Sequence, residues 1–539
     1  MVWSTDGNHN SGHEAAQVRH LVVPYTRGRV LDIGSGANRL FPHFVTWDNG
    51  TDYGNRRVAD IPFDRASITM FADKSWDSVF SSHFLEHCPD AKQTLKEWWR
   101  ILKVGGYLVL YLPHKDLYPN VGTEFANPDH KHDFLPADII AIMRDAAPAG
   151  WTLVENETRD QDNEYSFFMV FQKRNDFIQQ ERLWQRNPDG KKRCLVVRYG
   201  AFGDQIMASS VLPGLKEQGY HVTYQTTERG RDVMQHDPHI DEFSLQSTDQ
   251  VPNEYLSEYW AKLSKERFDK FVNLCESIEG GLLMLPGRLP FDYPHETRDK
   301  LFGSINYLER THDIAGVPHD FAPAFYPDRR EANAANAEKK KIAGNAPLIM
   351  WVLNGSALHK TYAWSQMVIM RLLKYTDAHI VTVGDKGGAE LEAGYAEFLD
   401  GIKVDRSRLH FMATKQSIRE TMALAQICDV VVGPETGVLN AVCMDDDVAK
   451  VVLLSHSSPD NLTKHWNNTR VICPPMTVKC FPCHQLHYNI DACQITKLSD
   501  GKEGAPWPSC AAEINPKDVF EATVDALGLS ETVIRKEAV

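Results

Sequence analysis

Residues 29–40, RVLDIGSGANRL, and residues 192–212, KRCLVVRYGAFGDQIMASSVL, decide the fold. Each runs a short apolar strand into a glycine turn, and each predicts the opening of its own parallel sheet. In the first, Val30, Leu31, Asp32 and Ile33 end a buried strand, and Gly34-Ser35-Gly36 lets the backbone approach a ligand where a side chain would clash. In the second, the strand leads through Gly200 and Gly203 to Asp204, at the start of a helix whose apolar side includes Ile206, Val211 and Leu215. The pair implies two nucleotide-handling units.

Working outward, 539 residues exceed what one hydrophobic core usually organises, so two or three α/β units are expected. Hydrophobic residues at 42% and charged residues at 24% are ordinary for a globular chain and argue against long disorder. A formal charge of −14, from 72 acidic and 58 basic residues, gives no general attraction to nucleic acid or to anionic membranes. The first twenty residues lack a signal-peptide pattern and no apolar run is long enough to span a bilayer, which makes the cytoplasm the expected location. The polar stretch from Phe177 to Arg193, with its turn at Pro188, reads as a linker after a first domain at 1–176. A lysine- and alanine-rich stretch from Asp328 to Pro347, read as an exposed helix, divides the remainder into lobes at 194–340 and 341–539. In the last lobe, apolar strands such as LIMWVL and AHIVTVG alternate with helical stretches, the pattern of βαβ units.

Downstream of the first glycine turn, Asp48 ends a short apolar run and is placed to accept hydrogen bonds from ribose hydroxyls, and Asp60 marks another strand end. Residues 75–114, SWDSVFSSHFLEHCPDAKQTLKEWWRILKVGGYLVLYLPH, give a strand, Leu85-Glu86-His87, an amphipathic helix and a Gly105-Gly106 turn into another strand. This ordered set resembles the class I S-adenosylmethionine-dependent methyltransferases over roughly residues 20–175, with Asn38 where many members have a third glycine. The resemblance implies a Rossmann-like fold in which Asp32, Gly34 and Gly36 line the methionine and ribose end of S-adenosylmethionine, Asp48 holds the ribose and Asp60 lies near the adenine. On the acceptor side, His114, His130 and His132 offer imidazoles; His114 suits a general base, and His130-x-His132 equally suits hydrogen-bonded loop residues or part of a metal site. Glu86 reads as a favourable charge near the start of the following helix.

In the second unit, Arg198-x-Gly200-x-x-Gly203-Asp204 looks like the N-terminal motif of the ADP-heptose:lipopolysaccharide heptosyltransferase family, whose members have the two-lobed GT-B fold. The resemblance makes 194–340 the acceptor lobe, 341–539 the nucleotide-sugar donor lobe, and Asp204 the candidate general base on an acceptor hydroxyl. LNGSALHKTYAW places Gly355, Ser356 and Lys360 after a strand, resembling the family's phosphate-binding loop, with Lys360 stabilising the leaving group. CDVVVGPETGVLNAV resembles the stretch whose backbone amides receive the diphosphate; here it carries Glu435, Thr436 and Gly437, with Asn440 where the family has histidine.

Five cysteines, Cys88, Cys194, Cys275, Cys428 and Cys443, lie mostly beside apolar residues and read as core thiols. Cys480, Cys483, Cys493 and Cys510 crowd near the C-terminus with His484 and His487 and offer a ligand set for structural zinc or an iron–sulfur cluster, while free thiols remain an alternative. The expectation is a bifunctional glycan-modifying enzyme that transfers a sugar from a nucleotide donor to a saccharide or glycolipid and methylates a sugar or related acceptor. Two alternatives stand beside it: hypermodification of a nucleic-acid base, and a chain in which one domain is a non-catalytic binding or assembly module.

Overall fold

The computed structural model describes residues 14–36, 39–48, 59–62, 67–147, 150–161, 163–175, 179–181, 190–246, 251, 256–275, 294–486, 491, 493–497 and 506–529. Asn38, Pro188 and His487 lie outside them. Two compact units are present: the first comprises Met1–Arg193 with Ser244–Lys270, the second Cys194–Phe243 with Phe271–Val539.

The first unit is built on a sheet whose strands, in chain order, are β1 (Val30–Ile33), β2 (Phe44–Asp48), β3 (Ile61–Pro62), β4 (Trp76–Ser82), β5 (Leu102–Pro113), β6 (Trp151–Arg159), β7 (Ser166–Lys173) and β8 (Gln179–Glu181). They lie side by side in the order β3-β2-β1-β4-β5-β7-β6-β8. Strands β3 to β5 pair in parallel and β7 runs antiparallel between β5 and β6. The order reverses between β1 and β4, which makes the carboxyl ends of these two strands the topological switch point where open α/β sheets bind ligands. Between β4 and β5 the helix Ala91–Ile101, capped by Asp90 on Gln93 N–H at 2.9 Å, buries Leu95, Trp98, Trp99 and Ile101 against the sheet. Gly105 and Gly106 do not form a turn ahead of β5. They lie inside it, at an irregularity where Trp76 faces Leu102 and Ser78 faces Tyr107, and a Cβ on Gly106 would fall 2.4 Å from the Asp77 carbonyl oxygen.

The segment Ser244–Lys270 clusters with this unit, although the sequence pattern places it within the second half. Its helix Leu256–Glu266 buries Tyr259, Trp260 and Leu263, and Arg267 pairs with Glu155 at 3.0 Å and Glu157 at 2.7 Å on β6.

Two sheets organise the second unit. One contains β9 (Arg193–Val197), β10 (His221–Thr226), β11 (Glu242–Leu245) and β12 (Lys270–Asn273) in the order β11-β10-β9-β12. The other contains β13 (Leu348–Val352), β14 (His379–Val383), β15 (Leu409–Phe411), β16 (Val430–Pro434), β17 (Ala449–Leu453) and β18 (Thr469–Ile472), all parallel, in the order β15-β14-β13-β16-β17-β18. Here the switch point falls between β13 and β16. The helix Arg329–Ile342 begins with a reciprocal Asp328–Glu331 capping box and leads into β13. The architecture is that of a Rossmann-like α/β unit followed by a second unit of two α/β lobes. Among the described residues no helix is long and apolar enough to cross a membrane.

The lobes of the second unit meet at two glycines. A Cβ on Gly437 would lie 2.9 Å from Gly203 N and 2.9 Å from Phe202 Cβ, so the turn after β16 touches the helix that carries Asp204. Buried Arg419 ties the lobes again, donating to the carbonyls of Asp232 and Val233 at 3.0 and 2.7 Å and binding Glu331 with both carboxylate oxygens. Gly437→Ala is expected to lower stability by about 1–3 kcal/mol through overpacking. Scanning calorimetry checks this, and an unchanged second-unit transition would show that the contact yields freely.

Candidate functional site

In the first unit the glycine loop follows β1 directly. Gly34 donates to the Trp47 carbonyl at 2.9 Å, adopts φ +73°, and has the Phe84 ring 2.3 Å from where a Cβ would stand. Gly36, at φ +57°, donates to Asp48 Oδ2 at 2.9 Å, and among the described residues nothing lies within 4 Å of its would-be Cβ. Asp48 therefore ends β2 beside an open glycine face. Asp32 is buried at 3% exposure, and burial, aided by the charge of Asp48, pushes its carboxyl up to about 8. Asp60 is engaged differently: it accepts from Thr46 N at 3.0 Å and Thr46 Oγ1 at 3.2 Å and pairs with Arg39. The Thr46 N–H, with help from Arg39, holds it below the usual carboxylate range against partial burial.

The acceptor-side histidines separate. His114 follows β5, accepts at Nδ1 from Asp116 N at 3.2 Å and packs edge-on against Phe167. His132 Nε2 meets the Cys88 carbonyl at 2.9 Å and stacks on Phe134. His130 points instead toward Glu86 and His87, with each imidazole Nε2 3.9 Å from Glu86 Oε1. Glu86 is not a helix-start charge: it sits fully buried in the short turn Leu85–His87, and Asp90 caps the following helix. Burial pushes its carboxyl up to about 8 and, with His87 adding to the effect, pushes His130 down to about 4.

In the second unit a cleft of about 570 Å³ is lined by all seven residues singled out from the sequence: Asp204, Gly355, Ser356, Lys360, Glu435, Thr436 and Gly437. Asp204 opens the helix Phe202–Ser209, accepts from Ala201 N at 2.7 Å, and has Oδ1 2.9 Å from Nη2 of the fully buried Arg198. Gly200, at φ +105°, leaves room for the carboxylate, since a Cβ there would lie 2.5 Å from Asp204 Oδ2. From the facing lobe, the loop after β13 supplies Gly355, whose would-be Cβ meets Lys360 Cβ at 2.9 Å and Thr436 Cγ2 at 3.1 Å.

Glu435 ends in a buried network that the sequence reading did not include. Its Oε1 accepts from Ser455 Oγ at 3.0 Å and lies 2.7 Å from His456 Nδ1, and Ser455 Oγ meets His359 Nδ1 at 2.7 Å. Burial alone would push Glu435 up, but His456, Lys360 and His359 hold it well below the usual carboxylate range. Burial lowers His456 in turn, so an ionised carboxylate lies 2.7 Å from the Nδ1 of a neutral imidazole. His456 follows β17, and the polar residue at a parallel-strand carboxyl end was the available signal. Thr436 Oγ1 and Asn440 Oδ1 are buried at the cleft without a hydrogen-bond partner among the described residues. Such atoms favour a bound polar group.

Cys480, Cys483, Cys493 and Cys510 line a neighbouring cavity of about 440 Å³ together with His359 and Ser455. All four are free thiols; burial and their mutual proximity raise Cys483 to about 12 and Cys493 to about 11. His484 Nε2 lies 3.7 Å from Asp299. Cys88, Cys194, Cys275, Cys428 and Cys443 are buried.

Residues 31–110 match the family model of a methyltransferase domain. No curated protein matches the chain. Among solved structures, the ADP-heptose lps heptosyltransferase II of E. coli is 16% identical, covering 63% of this chain and 99% of its own, with a TM-score of 0.41. A glycosyl transferase family 9 protein from Veillonella parvula is 13% identical over 62% of this chain and 97% of its own, with a TM-score of 0.44. A SAM dependent methyltransferase from Archaeoglobus fulgidus is 18% identical over 29% of this chain and 92% of its own, with a TM-score of 0.23.

The buried Asp32 carboxyl has a measurable consequence. Because its folded-state value of about 8 lies above the ordinary 3.8, its contribution to stability is present below pH 3.8 and is lost as pH rises through 8. Asp32→Asn removes the titration, so the variant should become increasingly more stable than the parent across that window, by up to about 5 kcal/mol at its upper end. Calorimetry in a pH series measures the difference; parallel stability profiles would place the charge elsewhere.

Proposed function

We propose that this chain, which carries a methyltransferase domain at residues 31–110, is a bifunctional glycan-modifying enzyme of the cytoplasm. Its second unit transfers a sugar from a nucleotide-sugar donor to a saccharide or glycolipid, and its first unit methylates a sugar or related acceptor with S-adenosylmethionine. The observation that carries the reading is the convergence of Asp204, Lys360, Glu435, Thr436 and Asn440 on one cleft.

In the sugar-transfer step the acceptor hydroxyl gives its proton to Asp204 while its oxygen forms the new bond to the anomeric carbon. The anomeric carbon–oxygen bond to the diphosphate breaks, and the departing charge is met by the Lys360 ammonium. Arg198 fixes the Asp204 carboxylate through its 2.9 Å contact, which makes it a positioning residue. Thr436 Oγ1 is free to accept from or donate to donor hydroxyls, and Asn440 Oδ1 to accept from them. Glu435, held ionised and oriented by Ser455 and His456, presents a fixed negative charge to the hydroxyl-rich side of the donor rather than to its phosphates.

For methyl transfer, the loop from Gly34 to Gly36 and the carboxylate of Asp48 are the groups that fit the methyl donor, with Asp32 behind them and Asp60 holding the neighbouring strand edge. His114 is the candidate base on the acceptor. The cysteine tetrad is read as a structural zinc site in the donor lobe on its donor set alone, since among the described residues no three of its sulfurs lie within 4.8 Å of one another.

Calorimetric titration of the full chain with S-adenosylmethionine and a panel of nucleotide sugars tests the proposal. Two independent sites are expected, the first lost in Gly36→Trp and the second in Lys360→Ala. Asp204→Asn should keep donor binding and lower transfer by about 10²–10⁴-fold, the usual contribution of a positioned base. Retained transfer in that variant would remove Asp204 from the chemistry, and absence of both ligands would leave the fold without the activities.

A further inference from the structure

The turn after β4 and the loop after β5 bring three metal-ligand side chains together in the first unit. Ligand atoms of Glu86, His87 and His130 all lie within 4.8 Å of one another, and both imidazole Nε2 atoms stand 3.9 Å from the same carboxylate oxygen. The arrangement is held by the backbone: the Glu86 carbonyl accepts from Lys131 N at 2.7 Å and His132 N at 3.2 Å, which fixes His130 against the turn. The two imidazoles meet edge to face at 4.7 Å, and Tyr118 covers His130 from the other side.

Glu86 is fully buried, yet neither of its carboxylate oxygens has a hydrogen-bond partner among the described residues. Leaving a carboxylate so placed is costly, and the cost disappears when a cation binds between it and the imidazoles. Metal–nitrogen and metal–oxygen bonds of about 2.0–2.2 Å need donors closer than those seen, by shifts of under about 1 Å. Two imidazoles and one carboxylate form a donor set that leaves coordination positions open.

We propose that Glu86, His87 and His130 form a site for a divalent transition metal, with zinc the ion that best suits the donors. Its place in the sheet suggests its use. The same turn carries Phe84, which packs on Gly34, so the metal would lie beside the glycine loop at the switch point between β1 and β4. An open coordination position there can take the oxygen of a hydroxyl acceptor and lower its pKa. The proton passes to the candidate base His114, the oxygen forms the new bond to the methyl carbon, and the carbon–sulfur bond breaks with its electron pair returning to sulfur. The ligand set stands on geometry, while this role rests on the methyl-transfer reading.

The test is Co²⁺ titration of the chelator-treated full chain, followed by visible absorption. About one equivalent with nitrogen and oxygen ligation and no thiolate charge-transfer band is expected from this site, persisting in a Cys483→Ser/Cys510→Ser variant that removes thiolate binding elsewhere. The near-isosteric Glu86→Gln, and separately His130→Ala, should weaken that signal at least about tenfold in affinity while thermal unfolding confirms that the unit still folds. Co²⁺ bound only through thiolates, or bound equally well by both variants, overturns the site. S-adenosylmethionine calorimetry on the same samples separates the two readings: metal uptake without cofactor binding leaves the site standing and overturns its part in methyl transfer.

Discussion

Gly203 and Gly437 meet backbone to backbone, and the cleft of the second unit depends on that contact. Any side chain at Gly437 would intrude to 2.9 Å on the Gly203 amide, and one at Gly203 would reach 2.5 Å from the Asn440 amide nitrogen. Only with both positions empty can the helix bearing Asp204 stand against the turn bearing Glu435 and Thr436. The first unit uses the same device on a smaller scale, where Gly34 admits the Phe84 ring and so seats the Leu85–His87 turn beside the cofactor loop. In each unit the loops at a switch point are brought together by the absence of a Cβ.

The two candidate sites treat buried charge in opposite ways, although the first unit also holds the buried Arg267–Glu155 pair. In the second, charges are matched: Arg198 against Asp204, and Glu435 against Ser455 and His456 within reach of Lys360. Such a site is preorganised, because its groups already hold the orientation that a polar ligand requires. In the first, Asp32 and Glu86 are buried carboxyls that burial raises, in Asp32 against the weaker pull of Arg39 and the Leu40 backbone. That unit keeps part of its electrostatic stabilisation in reserve until something cationic arrives.

Much of this was legible in the sequence because the signals are local. An apolar strand followed by glycine, as at Val30–Gly36 or Leu348–Gly355, carries its own direction and its own ligand-facing end. The seven cleft residues of the second unit, although 233 positions separate Asp204 from Gly437, all fall in the segments that follow such strands. What escaped was non-local or chemically silent. Glu86 and His130 are 44 positions apart, and only the fold shows that His130 turns toward Glu86 while His132 turns toward Cys88. His456 lies in LLSHSSPD, where only its place just past an apolar strand separates a buried network histidine from a loop residue. Gly105-Gly106 has the look of a turn, and the irregular pairing of β4 with β5 absorbs it inside a strand.

The allegiance of Ser244–Lys270 carries a consequence for heredity. The helix Leu256–Glu266 and Arg267, which neutralises Glu155 and Glu157 on β6, belong to the first unit although they are encoded between two stretches of the second. A gene split, recombination point or transferred fragment ending near Arg193 would deprive the first product of its own wall and leave the second carrying an amphipathic helix whose apolar face packs on the first unit. The two units are thus interleaved along one chain.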